Sequence, residues 1–260
     1  MLKVTHNCGF FSCCTVKMYQ IICYFNNNKI LPIEIDGSMQ FGLYKYDKNI
    51  DVTNVFFEDY NNNNIQIEYH KDIEYTLWGF QFNDYKIVNY ELLTPFVKKY
   101  FTPSKQITDI LSNLISKYNI DINNCIGLYY RGTDKHRETI LDSYETYYNK
   151  LIEIIENEPN KNIQILVQTD TTQFLDFIKE KNLKNIIVIE EISTSNTTNG
   201  IHYLKKPADN FNDMKNLMAS FLIISKCKYI ICSSGNCSIW MMYYRENANN
   251  VHQNLNKKWY

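Results

Sequence analysis

The sequence has no Cys-x-x-Cys pair among its eight cysteines and no charged-then-apolar leader at its start. It also has no apolar run reaching the ~18 residues that a membrane span needs. Reduced thiols and a cytoplasmic location are therefore expected, and the glycosylation pattern Asn196-Thr197-Thr198 is expected to be idle. Neither sign of charge is in excess: 27 Lys+Arg stand against 28 Asp+Glu, for a net charge of -1. Nothing in that balance advertises a nucleic acid or a membrane surface as partner. Gly-x-Gly-x-x-Gly and the Walker loop are both absent, which disfavours a dehydrogenase or a P-loop kinase. There is no Asp-x-Asp; the nearest pattern, Asp72-Ile73-Glu74, falls in an apparently extended stretch. The five histidines form no ligand pair at helical spacing, and Cys227, Cys232 and Cys237 flank an apolar strand where burial accounts for them. No metal and no resident cofactor are expected.

What is present is enough chain for one large domain or two small ones, at 260 residues. Aromatic residues make up 15% of it, mostly tyrosine, whose flat face and hydroxyl suit sugars and bases as well as cores. An AT-rich genome, such as that of a large DNA virus, accounts for the surplus of Tyr, Asn, Ile and Lys better than selection for binding does.

Hydrophobic period organises the chain. Residues 2–5 read as a strand, 13–25 as a helix capped by Ser12, and 30–35 as a second strand. Residues 52–57, 65–69 and 75–82 look extended, with the asparagine run 61–64 as a turn. Residues 90–101 read as a helix, and Thr102-Pro103-Ser104 opens another whose stripe is Ile107, Ile110, Leu111, Leu114 and Ile115. A polar connector at 118–124 marks a boundary between residues 1–120 and 121–260. The second part alternates regularly. Strands are expected at 125–130, 162–168, 185–189 and 229–232, and helices at 143–156, 171–181, 211–226 and 238–245. That alternation predicts an α/β fold with a parallel sheet covered on both faces, and the two parts together predict two Rossmann-like domains facing a central cleft.

The richest stretch is Cys125-Ile126-Gly127-Leu128-Tyr129-Tyr130-Arg131-Gly132-Thr133-Asp134-Lys135. An apolar strand stops at an arginine, and open α/β sheets place their chemistry at such strand ends. The guanidinium fork suits phosphate oxygens and would stabilise charge growing on a leaving diphosphate. A structural pairing of Arg131 with Asp134 or Glu138 is the other reading. Ser233-Ser234-Gly235-Asn236 joins a strand to a helix through small residues, which offers either an anion site at the helix start or an ordinary turn. Asp170, closing another strand, could bind a ribose or base edge, or cap the next helix beside Thr171. Transfer of a sugar needs a base for the acceptor hydroxyl. Glu138 and Asp134 in the arginine loop, and Glu34 and Asp36 across the cleft, are candidates that solvation alone could also explain.

At these residues the chain resembles the GDP-fucose-dependent fucosyltransferase superfamily, which includes α1,6-, α1,2- and protein O-fucosyltransferases. Tyr129-Tyr130-Arg131-Gly132-Thr133-Asp134-Lys135 is similar to the family's His-x-Arg-Arg-x-Asp motif, and Gln168-Thr169-Asp170 to its strand ending in Thr-Asp or Ser-Asp. Ile224-Ser225-Lys226-Cys227 with the following strand and Ser233-Ser234 is similar to its "Leu-Ser-x-Cys" helix end and Ser-rich turn. The three lie in order across roughly the C-terminal half. The resemblance implies a GT-B fold and inverting, metal-independent transfer of fucose from a nucleotide-sugar donor to a glycan or glycoconjugate hydroxyl. Arg131 would then hold the β-phosphate, with Tyr129, Gly132, Lys135, Asp170, Ser233, Ser234, Gly235 and Asn236 completing the donor side. Gly9, Phe10, Phe11 and Ser12 sit where the family has its glycine-rich first loop, which with Asp36 would form the acceptor side. The sequence departs from the family at Tyr129, where His is usual, and at Gly132, where a second Arg is. Ser220 falls by spacing where an acidic residue often meets guanine, with Asp213 a turn or two earlier. These departures leave two further readings: a silent nucleotide- or glycan-binding module, or a transferase for another nucleotide-sugar.

Overall fold

Every residue from Cys125 to Tyr130 is buried, and the two faces of that strand go to different cores. Ile126, Leu128 and Tyr130 pack with Tyr147, Leu151, Phe174 and Ile178 on one side; Cys125 and Tyr129 pack with Phe221, Ile223 and Ile224 on the other. A strand buried on both faces belongs in the middle of a parallel sheet under two helical layers. A computed structural model, which describes residues 1–260, places it there.

In chain order the elements are β1 (Leu2–His6), α1 (Phe10–Asn28), β2 (Ile35–Gln40), α2 (Thr53–Phe56), α3 (Tyr90–Tyr100) and α4 (Lys105–Tyr118). There follow β3 (Cys125–Tyr130), α5 (Tyr144–Asn157), β4 (Gln164–Thr169), α6 (Thr172–Glu180), β5 (Ile186–Val188) and α7 (Ile201–Leu204). The chain closes with α8 (Pro207–Lys226), β6 (Tyr229–Ser233), α9 (Asn236–Arg245), β7 (Val251–Leu255) and β8 (Lys258–Trp259). The large sheet runs β5-β4-β3-β6-β7-β8, parallel except for β8. From β3 the chain winds outward through β4 and β5, then crosses back to lay β6 on the other side of β3. The carboxyl ends of β3 and β6 are thus a topological switch point, where such sheets bind ligands.

The N-terminal sheet has two parallel strands, β1 and β2, with α1 between them in sequence. The architecture is the expected α/β one. The larger apolar core, of 47 residues, runs from α1 through α3 and α4 to α8 and α9. Trp240 sits inside it, against Phe11, Phe101 and Tyr243, with its indole N–H donated to Thr15 Oγ1 at 2.9 Å. No helix is long and apolar enough to cross a membrane.

Several local expectations are corrected. The second strand is Ile35–Gln40, not 30–35; Asp36, Gly37 and Ser38 hide it from a hydrophobic-period reading. α1 starts at Phe10 with Gly9 at its cap position, and Ser12 instead bonds His6 Nε2 at 2.9 Å. Residues 52–57, 65–69 and 75–82 form no strands. Four of the 52–57 residues are α2, and the rest of the region is turns and irregular chain. Asp47, Asp51, Asp59 and Asp84 each accept the N–H two residues on, a local bond that competes with sheet pairing.

Candidate functional site

Arg131 is the first residue beyond β3. Its backbone N–H donates to Ser233 Oγ at 3.1 Å, which ties the end of β3 to the end of β6. The side chain is 25% exposed. Its Nη2 donates to Asp134 Oδ1 at 2.7 Å, Nη1 lies 3.5 Å from Cys237 Sγ, and Nε lies 3.5 Å from Asp170 Oδ2 without a hydrogen bond. Burial works against the charge, yet the surrounding groups, Asp170 and Asp134 among them, hold the guanidinium above the ordinary arginine pKa. The same exchange acts on Asp134: burial pushes its carboxyl up, and Arg131 outweighs that and leaves it below the usual value.

Asp170 does not cap α6. It accepts the Gly132 N–H at 2.9 Å, the Thr133 hydroxyl at 2.6 Å and the Thr171 hydroxyl at 3.0 Å. One carboxylate thereby fixes the loop that aims the arginine.

The facing element is the start of α9. Ser233 and Ser234 are buried with their hydroxyls engaged: Ser233 by Tyr147 and Arg131, Ser234 by Asn254 and Gln253. Gly235 has φ 155°, and a Cβ there would lie 2.8 Å from Lys135 Nζ, so only glycine fits. Its N–H goes to Tyr85 Oη at 3.0 Å. The next three amides, on Asn236, Cys237 and Ser238, have no acceptor in the protein. They are the unpaired donors that every helix start leaves, at the positive end of the α9 dipole.

Two adjoining pockets open here. The smaller, of about 100 Å³, is lined by Tyr129, Gln168, Thr169, Asp170, Asn210 and Asp213 among others. The larger, of about 720 Å³, is reached by Gly9, Phe10, Phe11, Ser12, Asp134, Lys135, Glu138 and Asn236. Arg131, Tyr44, His202 and Cys237 line both. Lys135 is buried, with Nζ 2.5 Å from Glu138 Oε2; burial pushes its pKa down and Glu138 offsets part of that. Gly132, Ser233, Ser234 and Gly235 line neither pocket, so they shape the site without facing it. Asp36 is not brought in. It lies on β2 outside both pockets and accepts the Ser38 N–H at 2.9 Å.

The structure adds residues the sequence reading passed over. His202 sits at the junction of the pockets, its pKa lowered by burial and then by Arg131. It comes from a polar stretch without periodicity, where nothing singled it out. Cys237 was assigned to burial; it is half-buried on the first turn of α9, beside the guanidinium. Ser220, buried, donates to Gln168 Oε1 at 3.0 Å behind the smaller pocket. Asp213 on its wall is paired with Lys205.

No protein-family profile matches the chain, and no curated protein matches it. Among solved structures it is similar to NodZ alpha-1,6-fucosyltransferase co-crystallized with GDP. The identity is 11% and the TM-score 0.43, over 60% of this chain and 45% of that one. The same enzyme soaked with GDP-fucose gives 12% and 0.41, over 60% and 47%. A variant of Arabidopsis thaliana FUT1 in complex with GDP gives 8% and 0.39, over 62% and 35%. The matched region thus spans less than half of each of those chains, and the likeness is one of fold.

Proposed function

We propose that the chain is a glycosyltransferase which moves a sugar, fucose from GDP-fucose, to a hydroxyl acceptor with inversion and without a metal ion. The observation that carries this reading is the placement of Arg131 beside the start of α9, whose first three amides have no acceptor in the protein, on one pocket at the switch point of the sheet. A diphosphate laid there meets a charged fork and a helix dipole together. The sequence motif around Arg131 supports the choice of donor.

The acceptor oxygen forms a bond to the anomeric carbon as the bond from that carbon to the β-phosphate oxygen breaks. The electron pair leaves with the phosphate. Arg131 and the α9 amides favour that negative charge more in the transition state than before it. Glu138, held by Lys135 at the edge of the larger pocket, is the base that takes the acceptor's proton, with Asp134 orienting the arginine.

The test is release of GDP from GDP-fucose, with and without acceptor. Arg131→Ala is expected to lower turnover about 100-fold or more, in line with loss of a charged group at developing charge. Activity close to wild type in that variant would remove Arg131 from the mechanism. A binding module without transfer is the second reading, favoured by the Arg131–Asp134 pair, which already engages part of the fork. It predicts a thermal shift with GDP and no turnover of GDP-fucose.

A further inference from the structure

One wall of the larger pocket takes no part in holding the donor: the turn from Thr76 to Phe82. Gly79, at φ +60°, lets the chain reverse there, with its N–H on the Thr76 carbonyl at 2.9 Å and its carbonyl accepting the Thr76 hydroxyl at 3.0 Å. The turn sets Trp78, 61% exposed, and Phe82, 38% exposed, on the pocket lining. Near them Gln81 also lines the pocket, only 3% exposed, and its side-chain oxygen meets no donor in the protein. That oxygen is closed off and its lack of a partner is unfavourable, whereas the amide nitrogen, which no acceptor in the protein engages, is the polar group Gln81 can offer the pocket.

This wall is tied to the donor side. The Tyr85 hydroxyl accepts the Gly235 N–H at 3.0 Å and donates to the Gln81 backbone carbonyl at 3.3 Å. Lys135 Nζ lies 4.7 Å from the centre of the Phe82 ring, and the same ammonium pairs with Glu138. A molecule seated on the turn is therefore beside the proposed base.

We propose that this turn is the acceptor subsite, and that its occupant is one neutral pyranose ring, packed by its C–H face against Trp78 and Phe82 with a hydroxyl oxygen accepting from the Gln81 side-chain amide. The inference rests on reading the site as a glycosyl-transfer cleft. Two aromatic rings and one neutral amide match a sugar's two faces, apolar C–H and polar O–H. The turn from Thr76 to Phe82 itself carries no charged residue.

Saturation-transfer NMR with the methyl glycosides of glucose, galactose, mannose and N-acetylglucosamine, in the presence of GDP, tests it. At least one glycoside is expected to receive saturation at its ring C–H protons. Trp78→Ala, at an exposed position, is expected to weaken that glycoside roughly tenfold. Gln81→Leu is expected to weaken it too while leaving the melting temperature unchanged or higher, because the unpaired carbonyl is gone. A purely structural Gln81 would instead lose stability on that change. GDP binding with no glycoside binding, or glycoside binding unmoved by both variants, overturns the subsite and leaves the transfer reading standing. Glycoside binding that depends on Trp78, in a protein that ignores GDP, supports the subsite and removes the transfer reading.

Discussion

The six-stranded sheet and the stretch from Phe41 to Asn89 are built in different ways. In the sheet, backbone pairing fixes position: β3 is in register with β4 over six residues and with β6 over four. In the stretch from Phe41 to Asn89 the only regular elements are α2 and three short 3-10 turns, and no strand is present. Asp and Asn turns shape it, and buried aromatics such as Phe56, Phe57 and Tyr85 anchor it to the common core. In the proposed function the donor side of the site would rest on the first kind of structure and the acceptor side largely on the second. Recognition of a diphosphate would need one fixed geometry, whereas acceptor choice would be set by what a loop presents.

If both kinds depend on the shared core, the largest loss should come at its centre. Trp240→Ala removes a ring that touches α1, the residue just beyond α3 and its own helix, and is expected to cost about 3–5 kcal/mol in urea unfolding. A loss below about 1 kcal/mol would mean that this core carries little of the stability of either region.

A change inside the sheet should be next in size. A Cβ on Gly127 would meet Ile224 Cγ2 at 2.6 Å, so Gly127→Ala is expected to cost about 1–3 kcal/mol by overpacking. Ile224→Ala, which removes that methyl, should therefore cost less in the Gly127→Ala background than in the wild type. An equal cost in both backgrounds would show that the strain lies elsewhere.

The smallest effect is electrostatic and sits where the regions meet. His202 has its pKa lowered from 6.5 by burial, and then by Arg131. As pH falls below about 6.5 the unfolded chain takes up this proton before the folded one, so stability is full above that value and declines on acidification. His6 and His252 are lowered in the same direction. His202→Gln should therefore flatten, without abolishing, the fall in melting temperature from pH 7 to pH 5. An unchanged slope would exclude His202 as a contributor.

The sequence made the first kind of structure readable and the second not. Residues 125–130 and 229–232 carry uninterrupted apolar runs and 162–168 a shorter one at 165–167, and β3, β4 and β6 lie there within a residue or two. β7 escaped because its buried positions include Gln253 and Asn254, which pair with Ser234, Asn83 and Asp142 instead of signalling a core. The aromatic alternation of residues 75–82 imitates a strand, yet a glycine at positive φ turns it. At the site, Arg131 was visible because a strand pointed to it. Asp170 was seen at its strand end, but its bonds to the arginine loop depend on the pairing of β3 with β4. His202 comes from aperiodic chain and Gln81 from that false strand, and both become meaningful only through their place in the folded protein.

Calorimetric titration of the wild-type chain and of Arg131→Lys with GDP and with GMP measures the diphosphate site most directly. The arrangement of Arg131 against the α9 amides predicts that GDP binds at least tenfold tighter than GMP, and that lysine, a point charge without the fork, removes most of the difference. Equal affinity for the two nucleotides in the wild type, or a GDP preference that survives the substitution, would contradict it.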